Sequence, residues 1–268
     1  MIFSMQVLRN TFDRFWATLI FFTRLPLWRI YQPGAESYRH VVEYWPMAGW
    51  VTGGTMMLVY TLVAYFSPQT GMATALLAPG GGWVGVLLII GVRVLLTGAL
   101  HEDGLADFSD GLGGATPAHK LAIMKDSHIG TYGVIGLIGY FLFLYSVLPY
   151  LSPLLLLTAD VWGKSVASLL VLQLPYARTE AEAKSKTIYV RYAASGQLLR
   201  IIVAMLPVVL LWWYVGSMPH WAIFLVPIAV ELLLALWMKR HIGGYTGDCC
   251  GATFLLCEAS IYFTYLII

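Results

Sequence analysis

The sequence predicts an all-α, polytopic integral membrane helix bundle of about seven transmembrane helices, preceded by an N-terminal interfacial helix. Three observations predict it. Hydrophobic residues make up 59% of the 268-residue chain and charged residues only 11%, against roughly 25% charged in a soluble domain. The mean hydropathy is +0.74, so the chain lacks the polar surface to cover itself in water. Its apolar residues also fall into runs near the roughly 20 residues that a helix needs to cross a hydrocarbon core.

Taken in order, the first apolar stretch does not read as a secretory signal, because Arg14 and Arg24 interrupt it and no small-residue cleavage pattern follows. Phe12, Phe15, Trp16 and Leu19 recur at helical spacing, with Arg9, Asp13 and Arg14 off that face. That suits a helix lying in the membrane interface or packed against the bundle. The expected spans are 46–66, 83–100, 131–150, 160–175, 201–216, 221–238 and 252–268. The fourth is short and carries Asp160 and Lys164, so it is expected to be tilted, or broken and buried among the others. The loop tips 79–82 and 176–200 are the expected mobile parts. In the second, Glu180 with Lys184 and Glu182 with Lys186 read as a solvated, helix-stabilising face. No repeat, linker or low-complexity run divides the chain, so residues 1–268 read as a single membrane domain. Cys249, Cys250 and Cys257 offer no disulfide framework and no zinc spacing, and read as reduced thiols.

The cations give an orientation. Of 16 Lys and Arg residues, all but Arg93 and Lys164 lie in the N-terminal segment and in connectors 101–130, 176–200 and 239–251. Connectors 67–82, 151–159 and 217–220 hold none. With seven spans the two sets alternate, as the positive-inside rule requires. A cytoplasmic N-terminus and an outside C-terminus follow.

The chemistry gathers where the second span ends, at HEDGLADFSDG (101–111). In a helix, Asp103, Asp107 and Asp110 fall at i, i+4 and i+7 and share a face. Three like charges in adjacent turns repel one another. A hard divalent cation relieves that, and oxygen-only ligands suit Mg²⁺ or Ca²⁺. The spacing is not that of an EF-hand. His101 could orient a carboxylate or act as acid or base. In KDSHIGTYG (125–133), Lys125 and His128 suit phosphate oxygens and Asp126 suits a metal, while Gly130 and Gly133 let backbone approach a ligand. Asp248 opens the last span in a glycine-rich turn, with Glu258 deeper in it. Arg93 and Glu231, also within spans, read as neutralising one another or other buried charges. The GKS triplet at 163–165 is no P-loop, since Thr158 stands where its first glycine belongs. Acids, a divalent metal and cations at one membrane edge suit phosphoryl or phosphodiester transfer. A cation-coupled transporter is the rival, but it would place its site near the midplane between repeats.

HEDGLADFSDG resembles the H-x-D-G-L-A-D-x-x-D-G signature of the cobalamin synthase family, the adenosylcobinamide-GDP ribazoletransferases. FFTRLPL (21–27), YWPMAGWVTG (44–53), IMKDSHIGTYGV (123–134), YAR (176–178) and GGYTGDCCGA (243–252) resemble further blocks of that family, in order. The resemblance implies a Mg²⁺-dependent enzyme integral to the prokaryotic inner membrane with its active site facing the cytoplasm. It implies that adenosylcobinamide-GDP is joined to α-ribazole or its 5′-phosphate, GMP leaves, and adenosylcobalamin or its phosphate forms. Carried over by position, Asp103 and Asp107 are metal ligands with Asp110 and Asp248 next. His101, or an aspartate left off the metal, is the base. Lys125, His128, Arg178 and Arg24 hold phosphates, and Asp126 stands with them at the substrate. Besides the two substrates the expected partner is the lipid bilayer, with no nucleic acid; a homo-oligomer or contact with other corrinoid-pathway enzymes is left open.

The chain departs from the pattern at several places. Glu102 stands for an apolar residue, His128 for an arginine, Leu255 for an acid and Lys164 for an arginine, whose bidentate geometry it lacks. A CDP-alcohol phosphotransferase is the runner-up enzyme, but Asp107 stands where its motif needs an arginine.

Overall fold

A computed structural model describes residues 2–66, 82–179, 188–192, 194–216 and 220–268. The expected tip at 79–81 and the Glu180–Lys184 and Glu182–Lys186 pairs lie outside these. Among the described residues the chain is helical, with no strand and one isolated bridge between Tyr176 and Tyr245. Six helices are long and apolar enough to span a membrane, or seven if one sharply bent pair counts as a span.

Helix α1 (Ile2–Phe22) exposes Met5, Leu8 and Phe12 but buries Ala17, Leu19 and Phe22. Its second half therefore packs on the bundle. Helix α2 (Trp45–Phe66) carries Gly49 and Gly53 one turn apart, and a Cβ there would meet Val161 Cα at 2.9 Å and Asp160 Cβ at 2.8 Å. These glycines let α2 lie directly against the next long buried helix, the small-residue device of membrane interfaces. That partner is α7 (Pro153–Ala167), which continues after a break into α8 (Leu170–Gln173). The fourth span thus begins at Pro153 rather than 160. Ser152 caps it by accepting from Leu155 N, and Pro153 sits where no backbone donor is needed. As expected it is broken and enclosed by other helices. Its buried ion pair, Asp160 with Lys164, is shared by Thr52, which bonds Asp160 Oδ1 at 2.9 Å and Lys164 Nζ at 3.0 Å.

Helices α9 (Ala194–Val215) and α10 (Ala222–Ile242) each contain a proline. Pro207 cannot bond the carbonyl of Val203, and Trp50 Nε1 donates to that oxygen at 3.3 Å instead. The last helix, α11 (Gly247–Ile267), starts five residues before the expected 252, which puts Asp248 in its first turn.

The feature that places the site is an elbow. Helix α3 (Gly82–Thr97) stops and α4 (Leu100–Gly111) leaves at 89° to it. The turn is made by Gly98 and Ala99, both left-handed at φ +65° and +57°. A side chain at Gly98 would also strike the Arg24 guanidinium. The straight span expected over 83–100 is therefore corrected: backbone at 98–99 turns the acidic helix across the end of α3. Arg93 pairs not with Glu231 but with Glu258 (2.6 Å) and Glu102 (3.3 Å), so it ties α3 to α11 and to the far side of the elbow. Glu231 instead accepts from Gln173 at 3.1 Å.

Candidate active site

Two neighbouring glycine contacts bring the acids together. Gly104 of α4 lies so close to α11 that a Cβ would stand 2.8 Å from Asp248 O, and a Cβ at Gly251 would meet His101 at 3.3 Å. Asp103 and Asp248 thereby line one cavity with His101 and Arg178. Asp103 also lines a second cavity on the other side of α4, with Asp107, Glu102 and Ser127. Asp103 is exposed and Asp107 half-buried.

The three in-phase aspartates have different surroundings. Asp110 is buried, and both its oxygens are engaged: Oδ2 accepts from Gly130 N and Oδ1 from Gly133 N, each at 2.7 Å. These donors belong to the start of α6 (Thr131–Val147), so Asp110 does across the bundle what a capping side chain does locally. Gly130 and Gly133 do admit a close approach, and what approaches is this carboxylate, 2.5 Å from the position of a Cβ at either. Asp110, expected as a catalytic and metal residue, thus has both carboxylate oxygens committed to backbone N–H groups at the start of α6.

Asp248 sits in the first turn of α11, where the helix dipole favours a carboxylate. Its neighbour Thr246 caps the helix, and Arg178 Nη1 lies 3.8 Å from Asp248 Oδ2. The other end of Arg178 donates to Leu121 O at 2.8 Å, in α5 (Pro117–Ile123). Backbone bonds from Ala177 N to Tyr245 O and from Tyr245 N to Pro175 O hold the Arg178 segment against the α11 start. Arg178 faces the site, but as a half-committed strut.

His101 is buried in an aromatic box, 4.9 Å from the Phe254 ring, 5.6 Å from Trp45 and 5.9 Å from Phe22. Its Nε2 has no hydrogen-bond partner among the described residues. Beneath it, Lys164 lies 3.9 Å from the Phe254 ring centroid. Lys125, Asp126 and His128 are exposed and line neither cavity. Asp126 accepts from both the backbone and the ring of His128, at 2.9 and 2.7 Å. The His128 backbone N–H holds the Asp126 carboxyl below its usual range. Arg24 is exposed at the elbow, its backbone bonded to Leu96 O at 2.6 Å.

Sequence reasoning missed two groups. Lys120 is buried and donates to Leu112 O at 3.1 Å and Gly111 O at 3.4 Å, closing the carboxyl end of α4. Phe21, Phe22, Trp45, Tyr176 and Tyr189 build the wall of the first cavity. Burial pushes the Tyr176 phenol up to about 12 and Tyr189 well above the phenol range, so both stay protonated and cannot serve as bases at neutral pH.

Among the described residues no three His, Cys, Asp or Glu side chains converge as a ready-made metal cage. Asp103 and Asp107, one turn apart on the second cavity, are an oxygen-only pair. That is the donor set Mg²⁺ takes from proteins when substrate phosphates and water complete its shell. The residues present therefore fit the implied ion.

Oxygen donors line two adjoining cavities and an arginine the first of them, carried on a bundle of helices long and apolar enough to cross a membrane, the architecture of a polytopic helical membrane protein. Residues 14–266 match the family described as cobalamin-5-phosphate synthase, and the chain belongs to it. It is 32% identical to the adenosylcobinamide-GDP ribazoletransferase of Shewanella piezotolerans over 98% of each chain. It is 34% identical to that of Shewanella woodyi over 96% of this chain and 97% of the relative. With the Vibrio cholerae protein of the same name it shares 32% identity over 96% of this chain and 94% of the relative. No solved structure matches it.

Proposed function

We infer that the chain is the transferase of cobalamin nucleotide-loop assembly, joining adenosylcobinamide-GDP to α-ribazole or its 5′-phosphate with release of GMP. Its family and the names of its relatives carry this reading. The relatives named above carry the name of this transferase, not of a transporter or a CDP-alcohol phosphotransferase. A ribazole hydroxyl attacks the phosphorus next to the cobinamide. The bond from that phosphorus to the bridging oxygen breaks, and GMP carries the electron pair away. The new phosphodiester joins the two halves.

The observation that carries the site assignment is the position of Asp103, shared by both cavities. Asp103 and Asp107 would hold Mg²⁺, with Asp248 as a further carboxylate beside Asp103. When bound, the ion offsets anionic charge at the attacked phosphorus and on the departing phosphate. Arg178 steadies a phosphate from the opposite wall. His101 takes the hydroxyl proton, and the aromatic box around it excludes water from the imidazole. Asp110 holds α6 in place and stays outside the chemistry. Lys125, Asp126, His128 and Arg24 form the outer rim that an incoming anionic substrate meets first. In this reading the chain sits in the prokaryotic inner membrane with its N-terminus and this site on the cytoplasmic face, an orientation that its cation distribution supports.

The test is a reaction of the purified full-length protein in liposomes with adenosylcobinamide-GDP and α-ribazole, with and without Mg²⁺. GMP and joined corrinoid should form in equal amounts, only with the metal, and not with Asp103→Asn. Product of equal yield without a divalent cation, or from Asp103→Asn, would overturn the metal assignment. No product from folded, metal-supplied wild type would overturn the reaction.

A further inference from the structure

The two cavities beside Asp103 differ in a way that sorts the two substrates. The first has a volume of about 320 Å³ and is walled by Phe21, Phe22, Trp45, Tyr176 and Tyr189, with Arg178 at its polar end. The second, of about 300 Å³, brings together three carboxylates, Glu102, Asp103 and Asp107, with Ser127, over an apolar floor that includes Leu137 and Phe141. We propose that the aromatic cavity is the acceptor subsite, holding the ribazole nucleoside by its flat base. The corrinoid-linked pyrophosphate lies across the acidic groove on the other side of α4. This assignment rests on the transferase reading above.

Size is compatible with this but does not by itself sort the two cavities, whose volumes are nearly equal. Pockets for small ligands run from roughly 300 to 1,000 Å³, so the aromatic cavity, at the lower limit, suits a base and a sugar better than a corrin macrocycle. Its chemistry distinguishes a benzimidazole-type base from the guanine of the other substrate. Phe22 and Trp45 stack at 4.9 Å and 12°, and Phe21 meets Phe22 edge-on at 4.9 Å. Phe21, Phe22, Val42 and Leu100 present no donor or acceptor at that end. A base with an apolar outer edge loses nothing against these side chains, whereas guanine could pair its amide and amine only by occupying Asp103, Asp248 or Arg178, the groups that the sugar and phosphate need. At the polar end, Arg178 and the first turn of α11 suit the ribose or its 5′-phosphate. That orientation directs the sugar toward Asp103, the one acid common to both cavities and the place where hydroxyl and pyrophosphate would meet.

The experiment is a pair of KM measurements on full-length protein in nanodiscs, each substrate varied with the other saturating. Phe21→Ala removes a stacking wall at a half-buried position, and Leu100→Trp crowds the mouth. For either, the KM for ribazole should rise roughly tenfold while that for adenosylcobinamide-GDP stays within about twofold. A second measurement needs only wild type: GMP should inhibit competitively against adenosylcobinamide-GDP and not against ribazole. A rise in the KM for adenosylcobinamide-GDP alone, two unchanged KM values, or GMP competing with ribazole would overturn the subsite while leaving the transferase intact. A wild type that forms no product would overturn the transferase reading, and the subsite with it. If both variants fail to fold, Phe21→Leu, which keeps an apolar side chain and removes only the ring, is judged by the same two KM values.

Discussion

Asp110→Asn separates a structural acid from a chemical one inside a single motif. The carboxylate accepts two backbone N–H bonds, from Gly130 and Gly133, at 2.7 Å each. An asparagine has one carbonyl oxygen to offer, so its amide nitrogen must face the other N–H as a second donor. One charge-assisted bond is lost and the other becomes neutral. With such bonds contributing about 1.5–3 kcal/mol each in buried settings, the loss should be about 2–4 kcal/mol. Asp103 is exposed, and removing its charge should alter stability by no more than about 0.5 kcal/mol. The assay is thermal unfolding in detergent, followed by fluorescence-detected size exclusion, beside turnover at low temperature where both variants are folded. Asp110→Asn should melt clearly earlier and still turn over; Asp103→Asn should melt with wild type and be inactive. The reasoning is refuted if Asp110→Asn melts with wild type and has no activity, because Asp110 would then be a ligand rather than a clamp.

Two more perturbations probe the frame around the site. Arg93→Met leaves Glu258 and Glu102 buried without their cation and should cost about 3–5 kcal/mol, part of which Glu102→Gln should recover in the double variant. Equal melting of Arg93→Met and wild type would contradict the pairing. Gly104→Val places a branched side chain where a Cβ already meets Asp248 O at 2.8 Å. It should push α4 from α11 and abolish turnover at a temperature where the protein still elutes as a folded peak; retained turnover would show that the close contact is dispensable.

The spans were legible because their apolar runs are long and the cations keep to the connectors between them. The start of α7 was misplaced although Ser152-Pro153 is a start signal, because the buried charges at Asp160 and Lys164 drew the boundary toward themselves. The elbow was not legible: Gly98 after an apolar run reads as an ordinary helix end, and nothing marks Ala99 as left-handed. Periodicity put three aspartates on one face. It could not say that the third would meet the backbone of α6, which depends on a contact twenty residues further along the chain. Residues of the aromatic cavity come from positions 21, 22, 45, 176 and 189, a set that only tertiary packing assembles. His128 stands for an arginine with its ring exposed and bonded to Asp126, so this departure falls outside both cavities. Glu102 in place of an apolar residue is accounted for by Arg93.

The most direct test of the central claim, that Asp103 and Asp107 hold a cation shared with the substrate pyrophosphate, is Mn²⁺ binding followed by electron paramagnetic resonance. Full-length protein in nanodiscs is titrated with and without adenosylcobinamide-GDP and with no ribazole present. Two protein carboxylates alone should bind Mn²⁺ weakly, and the substrate should tighten binding at least roughly tenfold in wild type and not in Asp103→Asn. Tight binding without substrate that survives Asp103→Asn would place the metal elsewhere and contradict the account.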